Sequence, residues 1–245
     1  MVTQLADART LLRQYASADS AADRLIALAP TDPNAWWQMA MIALARGDLD
    51  SARSVVRAGT RQIDPATVLA YVATYNDLYW ALDDAEQRQV LALPPGAFDD
   101  DRGNWGIVMT QLYHLRGDRV RAAVYADSAR IAFEEQSRAA PEDPQRHVFL
   151  GLALAYLGRK TDAVREGRRA VELLPIGRDA VNGPYIQHQL ARIYLPVGEP
   201  EQALDQLEPL LRVPYYLSPG MLRIDPNFDP LRDNPRFRKL VDGTA

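Results

Sequence analysis

Apolar residues recur three and four positions apart along almost the whole chain, and this helical spacing is broken at regular intervals by glycine, proline or a short polar residue. The clearest stretch is PQRHVFLGLALAYLGRKTDAVREGRRAVELLP, residues 144–175. It predicts two antiparallel helices. Gly158 supplies the left-handed residue that ends the first, and Pro175 ends the second. Two helices approach closely only where the touching residues are small, which sets Gly151 of the first helix against Ala163 of the second.

With Pro144 as position 1, the marks are Leu150 at 7, Gly151 at 8, Gly158 at 15, Ala163 at 20, Ala170 at 27 and Pro175 at 32. The same frame fits residues 33–59 through Trp36, Met39, Ala40, Gly47 and Ala52, and residues 103–129 through Met109, Tyr113, Gly117, Ala122 and Ala129. It fits residues 184–210 through Leu190, Ala191, Tyr194, Gly198 and Ala203. Two further units are degenerate. Residues 66–98 keep Val72, Ala73 and Ala85 but carry Trp80 in place of glycine, and residues 2–32 keep Leu12, Ala21 and Leu28. The period of about 33 residues, with glycine and alanine five apart, resembles the tetratricopeptide repeat. That resemblance implies an all-α solenoid, a right-handed superhelix of about six antiparallel helix pairs. The implied repeats are 2–32, 33–65, 66–98, 103–143, 144–175 and 184–212, within a single domain spanning residues 1–245.

The end of the chain breaks the pattern. LSPGMLRIDPNFDPLRDNPRFRKLV, residues 217–241, places Pro219, Pro226, Pro230 and Pro235 among Met221, Leu222, Ile224, Phe228, Leu231, Phe237 and Leu240. Each proline follows a capping residue (Ser218, Asp225, Asp229, Asn234), which makes it a helix start rather than a break. Several short helical turns are predicted. The last unit of a solenoid leaves a face without a neighbour, so residues 213–245 are expected to cover it as a proline-rich cap. Ser218, Pro219, Leu222, Arg223, Asp225, Pro226, the run 228–232 and the run 234–237 also resemble an ending of bacterial tetratricopeptide regions. Those regions follow a Ser/Thr protein kinase, an adenylate cyclase or a winged-helix module, and the resemblance implies a sensor or regulatory arm of a bacterial signalling protein. None of the motifs of those three effectors occurs in the sequence.

Composition narrows the chemistry. A net charge of −4 argues against a dedicated nucleic-acid binder, and the lack of cysteine removes disulfides, thiolate metal sites and cysteine nucleophiles. The longest apolar run, 148–157, is half of the roughly 20 residues a membrane helix needs. The first 25 residues have no basic leader or apolar segment of a signal peptide, so a cytoplasmic location is expected, with an anchor upstream in a longer parent protein left open. There is no glycine-rich phosphate loop, nucleophile elbow or His-Glu-x-x-His motif. His114, His147 and His188 lie in different units without acidic partners at ligand spacing, and Asp99 to Asp101 lack the bidentate glutamate of a calcium loop. No catalytic residue, metal or cofactor is expected. Arg159, Lys160, Arg165, Arg168 and Arg169 are interleaved with Asp162, Glu166 and Glu172, the composition of a solvated outer face.

The resemblance points instead to a concave groove, lined by positions 2, 5, 9, 12 and 13 of each first helix. These give the candidate peptide-binding residues Asn34, Trp37 and Met41; Asn104, Ile107, Gln111 and His114; Gln145, Leu152 and Tyr156; and Tyr185, His188 and Arg192. Position 5 carries no lysine, which disfavours capture of a terminal carboxylate. An apolar groove with aromatic anchors and amides suits an extended or helical peptide, held with little dependence on salt. A non-catalytic protein- or peptide-binding scaffold is the leading expectation. A self-associating assembly protein and an enzyme with a cryptic site in the superhelix stand as alternatives.

Overall fold

Aspartate caps seven of the helices and glycine ends four of them. The computed structural model describes residues 2–242, and among these no strand forms. Six helix pairs follow one another. They are α1 (Val2–Leu11) with α2 (Tyr15–Leu28), α3 (Pro33–Ala45) with α4 (Leu49–Gly59), and α5 (Pro65–Thr74) with α6 (Asp84–Leu91). Then come α7 (Arg102–Leu115) with α8 (Arg119–Ala139), α9 (Pro144–Tyr156) with α10 (Lys160–Leu173), and α11 (Gly183–Tyr194) with α12 (Pro200–Leu210). Asp32, Asp64, Asp101 and Asp143 each accept backbone N–H bonds at the start of α3, α5, α7 and α9. Asp48, Asp83 and Asp118 do the same for α4, α6 and α8. After α9, Gly158 stands at φ 72°, a conformation that a side chain would strain, and Gly47, Gly117 and Gly198 occupy the equivalent turns. Within a pair, the small residues meet as expected: a Cβ on Gly151 would lie 2.9 Å from the Ala163 carbonyl oxygen. The architecture is an all-α solenoid.

The third pair departs from this rule. α5 ends at Thr74, and a 3₁₀ segment, Tyr75–Trp80, takes over. Inside it Asn76 and Asp77 both adopt left-handed backbone, at φ 52° and 57°. Asn and Asp tolerate that region better than other side-chain-bearing residues. The kink turns Asp77 into the interior, and Trp80, which replaces the expected glycine, fills the core. Only the eight-residue α6 remains of the second helix, followed by a 3₁₀ turn at Pro95–Phe98.

The tail does more than cover the last pair. It forms α13 (Pro219–Ile224), a 3₁₀ segment (Pro226–Leu231) and α14 (Pro235–Asp242). Three of the four expected starts are present. The fourth, Asp229-Pro230, falls inside the 3₁₀ segment, where Asp229 turns its carboxylate to Arg232 at 2.7 Å instead of capping a new helix. α14 docks on α12, where Arg236 spreads over Glu201 (2.7 Å), Asp205 (2.9 Å) and Glu208 (2.9 Å). Residues 215–228, however, turn back across the inside of the superhelix. Ser218 donates to the Ala45 carbonyl, Arg13 donates to the Leu217 carbonyl at 3.3 Å, and Tyr79 donates to Asn227 Oδ1 at 2.5 Å. Gly220 lies so close to Gly47 that a Cβ on it would meet the Arg46 carbonyl at 2.9 Å. The expected cap is therefore also a tie from the last pair to the second and third.

Candidate functional site

The kink in the third pair builds a polar hub. Asp77 accepts bonds from Gln189 Nε2 (2.6 Å), the Tyr185 hydroxyl (3.0 Å) and Gln111 Nε2 (3.4 Å), and forms an ion pair with Arg192 at 2.9 Å. Both charged side chains are under 8% exposed, at 7% and 4%. Burial alone would lower the arginine's pKa, but Asp77 and the surrounding groups hold it well above its ordinary value. Arg192 also donates to Tyr79 and to Gln189. Burial lifts the neighbouring Asp225 to about 6, with the Arg192 charge opposing the shift. His188 Nδ1 is hydrogen-bonded with the Tyr215 hydroxyl (3.1 Å), and burial, reinforced by Arg192, pushes its pKa down to about 3. It is a neutral core histidine.

This hub changes the assignment of the expected groove. Gln111, His188 and Arg192 are buried structural residues, and Leu152 is fully buried in a core between α7, α9 and α11. His114 and Tyr156 pack edge-to-face at 4.9 Å, away from the open cavity. The physical reason is occupancy. At the level of position 9, and around His188 at position 5 of the last pair, the inside of the superhelix is filled by Asp77 and by the tail residues Tyr215, Tyr216 and Phe228.

Above the hub the superhelix opens into a cup of about 1250 Å³. Its wall is built from the first turns of α3, α5, α7, α9 and α11. Asn34, Trp37, Asn104, Gln145 and Tyr185 line it, with the buried Met41 and Ile107 at its floor. Reasoning from the repeat frame missed Asp7, Gln38, Tyr71, Tyr75 and the tail's Tyr215 and Tyr216, all of which also line it. Gln38 and Tyr71 share position 6, one residue beyond the inward position 5, and this was the available signal. Tyr71 donates to Asn34 Oδ1 at 3.1 Å and stacks on Tyr75 at 4.1 Å, while the Trp37 indole donates to the Tyr75 carbonyl at 3.0 Å. The expectation of a charge-poor groove is corrected as well. Asp7, Asp64, Asp77, Asp99 and Asp143 line the cup, and among the described residues no lysine, arginine or histidine does.

Elsewhere the charges pair with each other. A shallower hollow on the outer face contains the basic cluster, where Arg165 pairs with Asp162 and Glu166, Lys160 with Glu199, and His147 with Glu166. Among the described residues, no three His, Cys, Asp or Glu side chains are grouped to hold a metal ion, and no helix is long and apolar enough to cross a membrane.

The family model of the tetratricopeptide repeat matches residues 33–58 and 184–209, which are α3 with α4 and α11 with α12, apart from Gly59, Gly183 and Leu210 at their ends. No curated protein matches the chain. Among solved structures, it is similar to a thermophilic TPR protein of Thermus thermophilus, with 22% identity over 86% of this chain and 89% of that one and a TM-score of 0.40. It is similar to Acl4, the assembly chaperone of RpL4, with 17% identity over 84% and 87% of the two chains and a TM-score of 0.40. It is also similar to the TPR2AB domain of yeast Sti1 in its complex with pHSP90, with 14% identity over 98% and 96% and a TM-score of 0.29.

Proposed function

Because two of its helix pairs match the family model of the tetratricopeptide repeat, we propose that the chain is a non-catalytic scaffold that holds a protein or peptide segment in the cup. One observation carries the reading: five inner helices present their first turns to a single open cavity, and Asn34, Asn104 and Gln145 offer amides there. Side-chain amides both donate and accept, which suits the backbone of an extended segment. At about 3.3 Å per residue, a segment of about 10 residues crosses several repeats. The resemblance of the tail to regulatory bacterial proteins supports a role as the sensing arm of a signalling protein, with the tie of residues 215–228 fixing the cup's shape.

Selection from a random peptide library on the immobilised protein tests the binding role. Enriched peptides should lose binding to Asn104→Trp, which blocks the wall, and keep it with Arg165→Trp on the outer face. No enrichment, or equal binding by the blocked form, would refute the cup as the site.

A further inference from the structure

Two groups in the cup lack partners that the protein could have supplied. Gln38, in the middle of α3, is 3% exposed, yet neither its amide nitrogen nor its amide oxygen has a hydrogen-bond partner among the described residues. Buried amides in folded proteins are ordinarily paired, because burying an unpaired one costs on the order of 1–3 kcal/mol. Gln38 lines the cavity, so a bound group is the available partner. Asp7, in α1, lines the same cavity without an ion pair or side-chain hydrogen bond among the described residues. Its burial, uncompensated by any cation, raises its pKa above the usual carboxylate value. Its charge also reaches the hydroxyl of Tyr71.

The surroundings fit one sign of charge. Asp77 is neutralised by Arg192, and Asp143 faces Arg146 at 3.6 Å. Asp7, Asp64 and Asp99 have no such partner among the described residues. The helix N-termini at the wall would by themselves favour anions, each with roughly half a positive charge. The α3 and α5 ends, however, carry the full negative charges of their capping Asp32 and Asp64, and the balance is negative. Aromatic faces complete the set. Tyr75 is 50% exposed and stacked on Tyr71, with Trp37 held beside it through the Tyr75 carbonyl. Cations are attracted to such faces, arginine most often.

We propose that the cup takes a basic segment: an extended peptide that places an arginine or lysine side chain against Asp7, Gln38 and the Tyr71–Tyr75 pair. The proposal rests on the reading of the cup as a peptide site and gives that peptide its chemistry. A guanidinium or ammonium donates to the Asp7 carboxylate and to Gln38 Oε1, leaving Gln38 Nε2 to a backbone carbonyl of the same segment. A small polycation shares the charge but not the size, since the cavity exceeds the usual upper range of about 1,000 Å³ for small-molecule sites.

Fluorescence anisotropy with the whole chain tests this, using labelled alternating alanine–arginine, alanine–glutamine and alanine–glutamate peptides of about 10 residues. The arginine peptide should bind at least about tenfold more tightly than the glutamine one, and its affinity should fall as salt is raised. Asp7→Asn should weaken it by about tenfold without lowering the thermal midpoint, whereas Asp50→Asn on an outer helix should leave it unchanged. Preference for the glutamate or glutamine peptide, still blocked by Asn104→Trp, would overturn the basic partner and leave the peptide site standing. Binding of the arginine peptide that ignores both Asp7→Asn and Asn104→Trp would overturn the proposal as surface attraction. Displacement by spermine at equal concentration would overturn the peptide in favour of a small polycation.

Discussion

Replacing Asp77 with alanine removes the acceptor on which four side chains from two helices converge, and leaves Arg192 charged and buried. Breaking a buried ion pair by deleting one partner costs about 3–5 kcal/mol, because the orphaned charge keeps its desolvation penalty. In a protein of this size each kcal/mol lowers the thermal midpoint by about 2–4 °C, so the variant should melt roughly 6–20 °C below the parent. The double variant Asp77→Ala/Arg192→Met separates the charge from the packing. It removes the orphan guanidinium while keeping a side chain of similar length, and should recover more than half of the loss. Arg192→Met alone should cost less than Asp77→Ala, since Gln189, Tyr185 and Gln111 still bond the carboxylate. Urea titration of the four proteins, followed by circular dichroism, gives the coupling energy directly. A single Asp77→Ala loss below about 1 kcal/mol, or a double variant whose loss is the simple sum of the singles, would refute the hub.

Gly220→Val should push the tail off Arg46 and Gly47, costing about 1–3 kcal/mol by overpacking and enlarging the radius of gyration seen by small-angle scattering; an unchanged scattering curve would count against the tie. His188 supplies an acid-sensitive element. Its pKa is about 3 in the fold against an ordinary 6.5, so the unfolded chain takes up the proton first, and the histidine's contribution to stability is lost as pH falls from 6.5 towards 3. Asp225, at about 6 in the fold against 3.8, binds its proton first in the folded state and works in the opposite direction between those values. A comparison of His188→Gln with the parent isolates the histidine: the variant's relative stability should improve by about 2–3 kcal/mol between pH 6.5 and 4.5, read from urea midpoints.

The helix pairs were legible because their determinants are local. A glycine that must adopt positive φ and an alanine five residues later leave a mark that survives in a single sequence, as Gly158 and Ala163 do. The kink was half legible: Trp80 at the glycine position signals that the third pair is irregular, but nothing near it names the partners of Asp77, of which Gln111 lies 34 positions away and Tyr185, Gln189 and Arg192 over 100. The tail's helix starts could be read from Ser218, Asp225 and Asn234, but its destination could not, because the turn after α3 already explains Gly47 and the tail meets Ala45 through its backbone carbonyl. The same omission misplaced the groove. Positions 5 and 9 face inward in the repeat frame, but His188 at position 5 and Gln111 and Arg192 at position 9 face an interior that the chain itself fills. Of the expected residues, Asn34, Trp37, Asn104 and Gln145 near the helix starts reach open space.

The tail's return to α3 has a consequence for how the molecule comes apart. In an open array each unit touches only its neighbours, so the ends fray separately and folding can begin anywhere and spread. Here the contact between Ser218 and Ala45 joins residues 173 positions apart, and Tyr79 reaches Asn227 across 148. Such contacts raise the mean sequence separation and form only after both halves of the chain have found their shape, which slows the final step of folding. Closing so long a loop adds little entropy cost beyond that of a shorter one, because the penalty grows only with the logarithm of length. Once closed, neither end can open without releasing the Tyr215–Tyr216 segment and the carboxylate beneath it. Amide exchange in α3 and α11 should then report one common opening free energy, where an untied array would show a gradient from the centre outwards.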